Sequence, residues 1–267
     1  MTVDKSGARV RKMFGEIAAR YDLLNHLLSA GVDKYWRWRT VRAVPPQDDG
    51  PILDLCSGTG DLALAYYQAS GRRARIVAAD FCHPMLVIGS AKGQRAGADG
   101  QLTFVEADAQ RLPLADNLFQ IVCVAFGLRN VTDTDRGLEE MTRVCRPGGK
   151  VVVLEFSQPT WGPLRTVYSW YFRNVLPRIG QALSRNAQDA YNYLPQSVGE
   201  FPAGEALAQR MRGAGLAEVG FTPLSLGIAT LYVGTKVNRV TPLASGHGHR
   251  RDSVGRLAGT CAPETGA

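Results

Sequence analysis

The composition describes a globular protein rather than a membrane-spanning or disulfide-rich one. The chain has 267 residues, 45% hydrophobic and 21% charged, a length that suits one large domain better than two. Its five cysteines form no C-x-x-C pair, which indicates buried thiols in a reducing compartment such as the cytoplasm, and no apolar run approaches the roughly 18 residues of a spanning helix. The charge of +7 comes from Lys and Arg spread along the chain, so we expect no nucleic-acid partner.

The N-terminal region is predicted to be an arm followed by two helices. Residues 1–12 are polar and basic, and we expect them to form a flexible arm. From Met13 onward, apolar residues recur at helical spacing, at Ile17, Tyr21, Leu24, Leu27 and Leu28. Gly31 interrupts this stripe, and Asp33 is placed to begin a second helix. We expect these helices to cover the binding site as a lid.

The central region alternates between apolar runs and helical patterns. Strands are predicted near 51–56, 74–80, 102–107, 119–126 and 150–156, and helices at 61–70, 83–94 and 134–145. Alternation of this kind specifies parallel strands joined by right-handed crossovers, with ligands at the carboxyl ends of the strands. The sequence therefore predicts an α/β fold with a doubly wound, mostly parallel, Rossmann-like sheet.

The second half of the chain departs from this alternation. Residues 157–200 form an aromatic-rich insertion, predicted to be helical and to lie above the ligand end of the sheet. A helix at 202–214 and strands near 216–223 and 228–236 would complete a seven-stranded sheet with an antiparallel edge hairpin. One domain is thus expected over 13–237, followed by a disordered tail at 238–267, where apolar periodicity is absent.

The stretch Leu53-Asp54-Leu55-Cys56-Ser57-Gly58-Thr59-Gly60-Asp61 reads as a buried strand, a tight turn and the start of a helix. It lacks the G-x-G-x-x-G spacing and the Lys-Ser/Thr of phosphate-binding loops, so phosphate is not the expected guest. Asp61 would repel phosphate and suits a cationic ligand, whereas Asp54 is expected to hold the amides of the loop. Asp80 ends the next strand, where an acid accepts hydrogen bonds from ribose hydroxyls. A positively charged nucleoside satisfies both acids.

Four segments together resemble the class I S-adenosylmethionine-dependent methyltransferases: LDLCSGTGD, the strand that ends at Asp80, FVEADAQRLPLADNLFQIV and RVCRPGGKVVVLEF. Three others resemble the quinone C-methyltransferases of menaquinone and ubiquinone synthesis, namely IAARYDLLNHLLSAGVDKYWR, AFGLRNVTDTDRGLEEM and EFSQP with the later LPRIG and AYNYLPQSVGEFP. The resemblance spans about Met13 to Lys236. It implies S-adenosylmethionine as the cofactor and no metal.

The resemblance also implies site residues. The expected cofactor-binding positions are Gly58, Thr59, Gly60, Asp61, Asp80, Asp108, Ala109 and Ala125. Ala125 stands where many relatives have Ser, so a side-chain hydrogen bond is lost there. The expected catalytic positions are Arg129, which would stabilise a phenolate, and Asn130, which would orient the ring, with Tyr21, Asn25 and Tyr191 as further candidates for the pocket lid.

The implied reaction is methylation of a ring carbon of a polyprenylated quinol, first of all demethylmenaquinol to menaquinol. A ubiquinone or phylloquinone precursor, another small molecule or RNA, and a non-catalytic scaffold remain alternatives. Because a lipid quinol resides in the bilayer, we expect peripheral contact with the inner face of the membrane through Trp161, Trp170, Tyr171 and Phe172, with Arg165, Arg173 and Arg178 facing anionic lipid. A homodimer is the common expectation for such folds.

Overall fold

The computed structural model describes residues 4–29, 31–159, 161–171, 174 and 188–237. Its α-helices are α1 (Gly7–Ile17), α2 (Tyr21–Leu28), α3 (Val32–Ala43), α4 (Asp61–Ala69), α5 (His83–Arg95), α6 (Thr134–Val144), α7 (Gly162–Trp170), α8 (Gln188–Glu200) and α9 (Glu205–Gly213). Its strands are β1 (Ile52–Leu55), β2 (Ile76–Asp80), β3 (Leu102–Glu106), β4 (Phe119–Ala125), β5 (Cys145–Phe156), β6 (Leu216–Leu224) and β7 (Ala229–Lys236). Short 3₁₀ turns lie at Ala18–Arg20, Leu128–Asn130 and Ser225–Gly227.

The strands form one seven-stranded sheet in the order β3-β2-β1-β4-β5-β7-β6. Strands β1 to β5 run parallel, with Ile52 of β1 opposite Ile76 on one side and Ile121 on the other. Strand β7 pairs antiparallel with both β5 and β6. The predicted fold class and its hairpin are confirmed. Strand β7 lies between β5 and β6, and β6 forms the edge of the sheet.

The central strands are apolar because helices cover both of their faces. All four residues of β1 are buried, as are the first six of β4. On one face, Leu138 and Met141 of α6 and Met211 of α9 belong to one hydrophobic cluster. On the other, Trp36 of α3 and Tyr66 of α4 belong to a second. The two clusters hold the sheet so that its carboxyl edge faces the N-terminal helices.

The backbone is strained where β1 and β4 end side by side. Cys56 and Phe126 each follow a strand with a positive φ, 51° and 57° respectively, which side-chain-bearing residues rarely adopt. A Cβ on Gly127 would lie 2.4 Å from Cys56 Cβ, so only glycine permits this approach. This is the point where the direction of strand order reverses, and doubly wound sheets bind ligands there.

The expectation of a flexible arm over residues 1–12 is wrong from residue 7 onward. Helix α1 buries Val10, Met13 and Ile17, which recur every three to four residues and so form one apolar stripe. The sequence did not reveal this helix, because only one buried apolar residue, Val10, lies within residues 1–12 and the segment is otherwise polar and basic. The predicted tail at 238–267 lies outside the described residues.

Candidate active site

A cavity of about 150 Å³ opens at the carboxyl edge of the sheet. Besides Tyr21 of α2, six of the predicted site residues line it: Gly58, Asp80, Asp108, Ala109, Ala125 and Asn130. They come from the ends of β1, β2, β3 and β4, which are adjacent because parallel strands all end at the same edge. Helix α1 closes the cavity from outside with Gly7, Arg11 and Phe14. We call this the cofactor cavity.

Asp80 is the buried acid of the cofactor cavity. Its Oδ2 accepts a hydrogen bond from the Gly58 amide at 2.8 Å, and its Oδ1 accepts one from the Cys82 amide at 2.9 Å. Burial raises the pKa of Asp80, and these amide hydrogen bonds oppose the rise. Each carboxylate oxygen retains acceptor capacity beyond its one amide. The carboxylate is thus oriented by backbone before any ligand arrives.

Asp54 supports the next helix rather than the glycine loop. Its Oδ2 accepts a hydrogen bond from the amide of Ala63 in the first turn of α4, at 2.9 Å. The expectation that Asp54 holds the amides of the glycine loop is therefore wrong. Its carboxylate reaches past the loop to the amides in the first turn of the helix, which have no partner within the helix. Complete burial raises the pKa of Asp54 to about 7.

Thr59 and Asp61 are engaged with other protein groups and do not line the cofactor cavity. Thr59 is 2% exposed, and its hydroxyl donates a hydrogen bond to Asp22 Oδ1 at 2.5 Å. The Asp61 carboxylate pairs with Lys92 and, at 3.3 Å, with Arg37. The prediction that the charge of Asp61 faces a cationic ligand conflicts with this arrangement, because two cations already neutralise it.

These contacts form a polar network that joins the lid to the glycine loop. Lys92 Nζ bonds Asp22 Oδ2 at 2.7 Å as well as Asp61, and Arg37 Nη2 bonds Asp33 at 2.6 Å. His26, Asp33 and Asp61 lie close enough to share a metal ion. The bonded cations occupy both acids, so we assign the cluster a structural role. Gly60 contributes sterically, since a Cβ there would lie 2.9 Å from the Phe104 ring.

A second cavity, of about 310 Å³, adjoins the first, and Phe14, Tyr21 and Phe126 line both. Aromatic side chains dominate its walls, which also include Trp36, Phe156, Tyr168, Tyr171 and Tyr193. The Phe126 and Phe156 ring centroids are 4.3 Å apart. We call it the aromatic cavity. Its walls come from α1, α2, α3, α7 and α8 together with the ends of β4 and β5, so they are widely spaced in the sequence.

Arg129 is a buried cation in the wall of the aromatic cavity. It lies in the 3₁₀ turn after β4, is 6% exposed, and its Nη1 pairs with Glu155 Oε2 at 3.1 Å. Nη1 also donates to the Phe126 carbonyl, and the guanidinium lies over the Phe156 ring, 5.2 Å from its centroid. Its Nε is buried with no hydrogen-bond partner among the described residues. The unpartnered Nε–H of this guanidinium can donate a hydrogen bond to an oxygen that develops negative charge.

The remaining predicted catalytic residues divide between the two cavities. Tyr21 and Asn25 line the aromatic cavity, where burial raises the pKa of the Tyr21 hydroxyl and a hydrogen bond with Asn25 opposes the rise. Asn130 lines the cofactor cavity, and its Oδ1 has no partner among the described residues. The side chain of Tyr191 lies outside the described residues.

The sequence reasoning missed Tyr193, which lines the aromatic cavity and is 4% exposed. It also missed the cavity-lining residues of α1. The signal for Tyr193 was present, because Tyr193, Ser197 and Val198 share the buried face of α8 at helical spacing. The density of tyrosines in this segment favoured its neighbour Tyr191 instead.

Comparison with known proteins decides which family has this site. The model of the ubiE/COQ5 methyltransferase family matches residues 1–236. The chain belongs to the ubiE/COQ5 methyltransferase family. Two similar relatives are described as ubiquinone/menaquinone biosynthesis C-methyltransferases: one from Geobacter sp. (strain M21), 43% identical over 88% of this chain and 99% of its own, and one from Shewanella sp. (strain ANA-3), 40% identical over 87% and 92%. The predicted resemblance is confirmed.

Solved structures agree on the fold. A SAM-dependent methyltransferase from Thermotoga maritima matches with a TM-score of 0.59 and 18% identity, over 84% of this chain and 98% of its own. The phosphoethanolamine N-methyltransferase 2 of Haemonchus contortus, in complex with S-adenosylhomocysteine, matches with a TM-score of 0.57 and 14% identity, over 76% and 52%. At these identities the likeness establishes the class I methyltransferase fold alone.

The chain is therefore an S-adenosylmethionine-dependent methyltransferase of the quinone C-methyltransferase type. The cofactor cavity has suitable chemistry for this donor. Asp80 offers acceptors for ribose hydroxyls, Gly58 keeps the loop free of a Cβ, and Asn130 Oδ1 is a buried acceptor with no partner in the described part of the chain. Asp108 lines the far side, although its Oδ1 also accepts hydrogen bonds from Gln110.

Proposed function

We propose that this protein methylates a ring carbon of a polyprenylated quinol, with demethylmenaquinol as the first candidate. The observation that carries the proposal is the aromatic cavity, which adjoins the cofactor cavity and contains the buried Arg129. An aromatic ring enclosed there would lie beside the methyl donor, because Phe14, Tyr21 and Phe126 line both cavities. Proximity of this kind is the main requirement for methyl transfer.

The residues of the two cavities divide the work. Bound S-adenosylmethionine supplies an electrophilic methyl group. Arg129 would stabilise the oxygen of a quinol that releases its hydroxyl proton to solvent, which raises the electron density on the adjacent ring carbon. That carbon would form a bond to the methyl group as the C–S bond of the donor breaks, and loss of the ring proton with reprotonation of the oxygen would then restore the aromatic quinol. Glu155 holds the guanidinium in place. Asn130 and Tyr21, which line the cofactor cavity, would orient the quinol ring toward the methyl donor.

The choice of demethylmenaquinol rests on the walls of the aromatic cavity. Phe126, Phe156 and Trp36 have ring centroids within 6 Å of one another and so form one continuous aromatic wall, against which a flat, fused two-ring system can pack over a larger area than a single ring. A benzoquinol precursor of ubiquinone is smaller and carries additional oxygen substituents that need polar partners. Precursors of phylloquinone share the two-ring system and differ in the prenyl chain.

The substrate is identified by supplying each reduced quinone in turn to the purified protein with isotopically labelled S-adenosylmethionine. The probes are a prenylated 1,4-naphthoquinol, a phytylated 1,4-naphthoquinol and a prenylated methoxybenzoquinol, and mass spectrometry locates the transferred methyl group. We expect ring methylation with highest kcat/KM for the naphthoquinols. Preference for the benzoquinol would reassign the substrate, and transfer to none of the three would reject the proposal.

Peripheral contact with the cytoplasmic face of the membrane is part of the proposal. Within the described ranges, no helix is long and apolar enough to cross a membrane. Exposed Trp161 (63%) directly precedes helix α7 and exposed Trp170 (58%) ends it, with exposed Arg165 between them. Tryptophan and arginine are suited to the interface of an anionic bilayer. Tyr171 instead lines the aromatic cavity, while Phe172, Arg173 and Arg178 lie outside the described residues.

Flotation with vesicles of phosphatidylglycerol and phosphatidylethanolamine tests this contact. We expect the unaltered protein to float with the vesicles at low salt and a Trp161→Ser/Trp170→Ser variant to lose this binding. If neither protein floats with the vesicles, the proposed membrane contact is rejected.

The predicted homodimer is a separate question, which light scattering of the purified protein answers directly.

A further inference from the structure

The environment of Arg129 contains a second buried donor that the mechanism above does not use. Tyr193 lines the aromatic cavity, is 4% exposed, and its hydroxyl has no hydrogen-bond partner among the described residues. A buried, unpartnered hydroxyl is costly, because the group loses its hydrogen bonds to water on folding and gains none in return. A hydroxyl that is kept buried in a cavity wall at this cost is a candidate for binding a polar atom of a ligand.

Unpartnered groups are concentrated at this place. Arg129 Nε, Asn130 Oδ1 and Tyr193 Oη are all buried without a partner among the described residues. Arg129 and Asn130 belong to the 3₁₀ turn after β4, and helix α8, which carries Tyr193, packs against that turn. The charge of Arg129 also acts on the Tyr193 hydroxyl. Arg129 and Tyr193, from two packed elements, thus line the aromatic cavity, and Asn130 lies beside Arg129 in the wall of the cofactor cavity.

We propose that Tyr193 is a further substrate-binding residue, whose hydroxyl donates a hydrogen bond to a ring oxygen of the quinol beside Arg129. This inference rests on the proposed function, because it needs an oxygen-bearing aromatic ring in the aromatic cavity. The hydroxyl remains a donor throughout the physiological range, since burial raises the pKa of Tyr193. No proton leaves Tyr193. The hydrogen bond strengthens as the quinol oxygen gains negative charge, so it assists the transition state more than the ground state.

Tyr193→Phe removes only the hydroxyl, and Tyr66→Phe is its matched control. Tyr66 is also fully buried, and its hydroxyl also lacks a partner among the described residues, but Tyr66 lines neither cavity. Both variants should unfold at a midpoint about 2–4 °C above that of the unaltered protein, because each removes a buried unpartnered hydroxyl. Only Tyr193→Phe should affect turnover, lowering kcat/KM for the quinol by about 10- to 100-fold.

The pH profile distinguishes this role from packing. If Tyr193 stabilises the ionised quinol oxygen, the acid limb of kcat/KM moves to higher pH in Tyr193→Phe, while S-adenosylhomocysteine affinity measured by calorimetry stays within about twofold. The experiment uses the prenylated naphthoquinol with both variants and the unaltered protein. Equal kcat/KM and pH profiles for Tyr193→Phe and Tyr66→Phe would overturn the inference alone. Turnover by none of the three proteins, with any of the quinols, would overturn the proposed function and this inference with it.

Discussion

The cofactor cavity and the aromatic cavity adjoin each other but are built in opposite ways. The cofactor cavity is formed mainly by residues at strand ends, where backbone amides fix Asp80 and glycine keeps the loop open. The aromatic cavity is formed mainly by helices whose rings face one another across long sequence separations. We therefore expect the first to bind its ligand through placed acceptors, and the second through shape and one buried ion pair. Substitutions in one should therefore leave the other largely unaffected.

The largest effect is expected at the Arg129–Glu155 pair. Replacing Arg129 alone would leave Glu155 buried without its partner, which is strongly destabilising. The informative variant is Arg129→Met combined with Glu155→Gln, which removes both charges. We expect kcat to fall by about 10²- to 10³-fold, because the variant lacks the cation that we propose to stabilise the quinol oxygen. S-adenosylhomocysteine affinity by calorimetry should change by less than about twofold. A parallel loss of that affinity would show that the cavities are not independent.

The second effect concerns the strand beneath the cofactor cavity. Asp54 has a folded-state pKa of about 7, against 3.8 when exposed, so the folded protein binds the extra proton between these values. Its contribution favours folding at low pH and is lost as pH rises toward 7, which changes the free energy of unfolding by up to about 3 kcal/mol between pH 5 and 8. Asp54→Asn keeps an acceptor for the Ala63 amide.

Denaturant unfolding at pH 5, 6, 7 and 8 measures this dependence. Asp54→Asn should have a flatter profile than the unaltered protein over that range. Asp108→Asn is the control, because that carboxylate lies at the cavity surface on the same sheet edge. Identical slopes for Asp54→Asn and the unaltered protein would mean that Asp54 ionises normally in spite of its burial.

The third effect separates the two cavities at Asp80. Asp80→Asn keeps one oxygen for the amide of Gly58 or Cys82 and removes the negative charge. A charged hydrogen bond contributes about 1.5–3 kcal/mol, so cofactor affinity should fall by about 10- to 100-fold. The KM for the quinol, measured at saturating cofactor, should stay constant. A raised quinol KM would indicate that Asp80 also shapes the aromatic cavity.

The smallest effect tests whether Thr59 binds the cofactor or the lid. The structure pairs its hydroxyl with Asp22, so Thr59→Val should lower the free energy of unfolding by about 1 kcal/mol. In a double-mutant cycle with Asp22→Asn, the two losses should not add. S-adenosylhomocysteine affinity should be almost unchanged. A larger loss of affinity than of stability would restore the direct cofactor contact that the family resemblance implies.

Much of the cofactor cavity was predictable because most of its residues directly follow apolar runs that are recognisable as strands. The run before Gly58 and the run that ends at Asp80 are each apolar without alternation, which marks them as buried parallel strands. Parallel topology then places their last residues together. The direction of a single side chain was not predictable, and Thr59 and Asp61 face the polar network because Asp22 and Lys92, distant in sequence, bind them there.

The sequence by itself determined the sheet, its strand direction and the family, because periodicity and contiguous motifs carry that information. Only the tertiary structure decided which side chains line the cavities and which partners they contact. It turned part of the supposed arm into α1, which lines both cavities, and it added Tyr193 of α8 to the walls of the aromatic cavity. It also paired Arg129 with Glu155. These outcomes depend on packing between elements that lie far apart in the chain, and no local pattern encodes the partner that a helix face will meet.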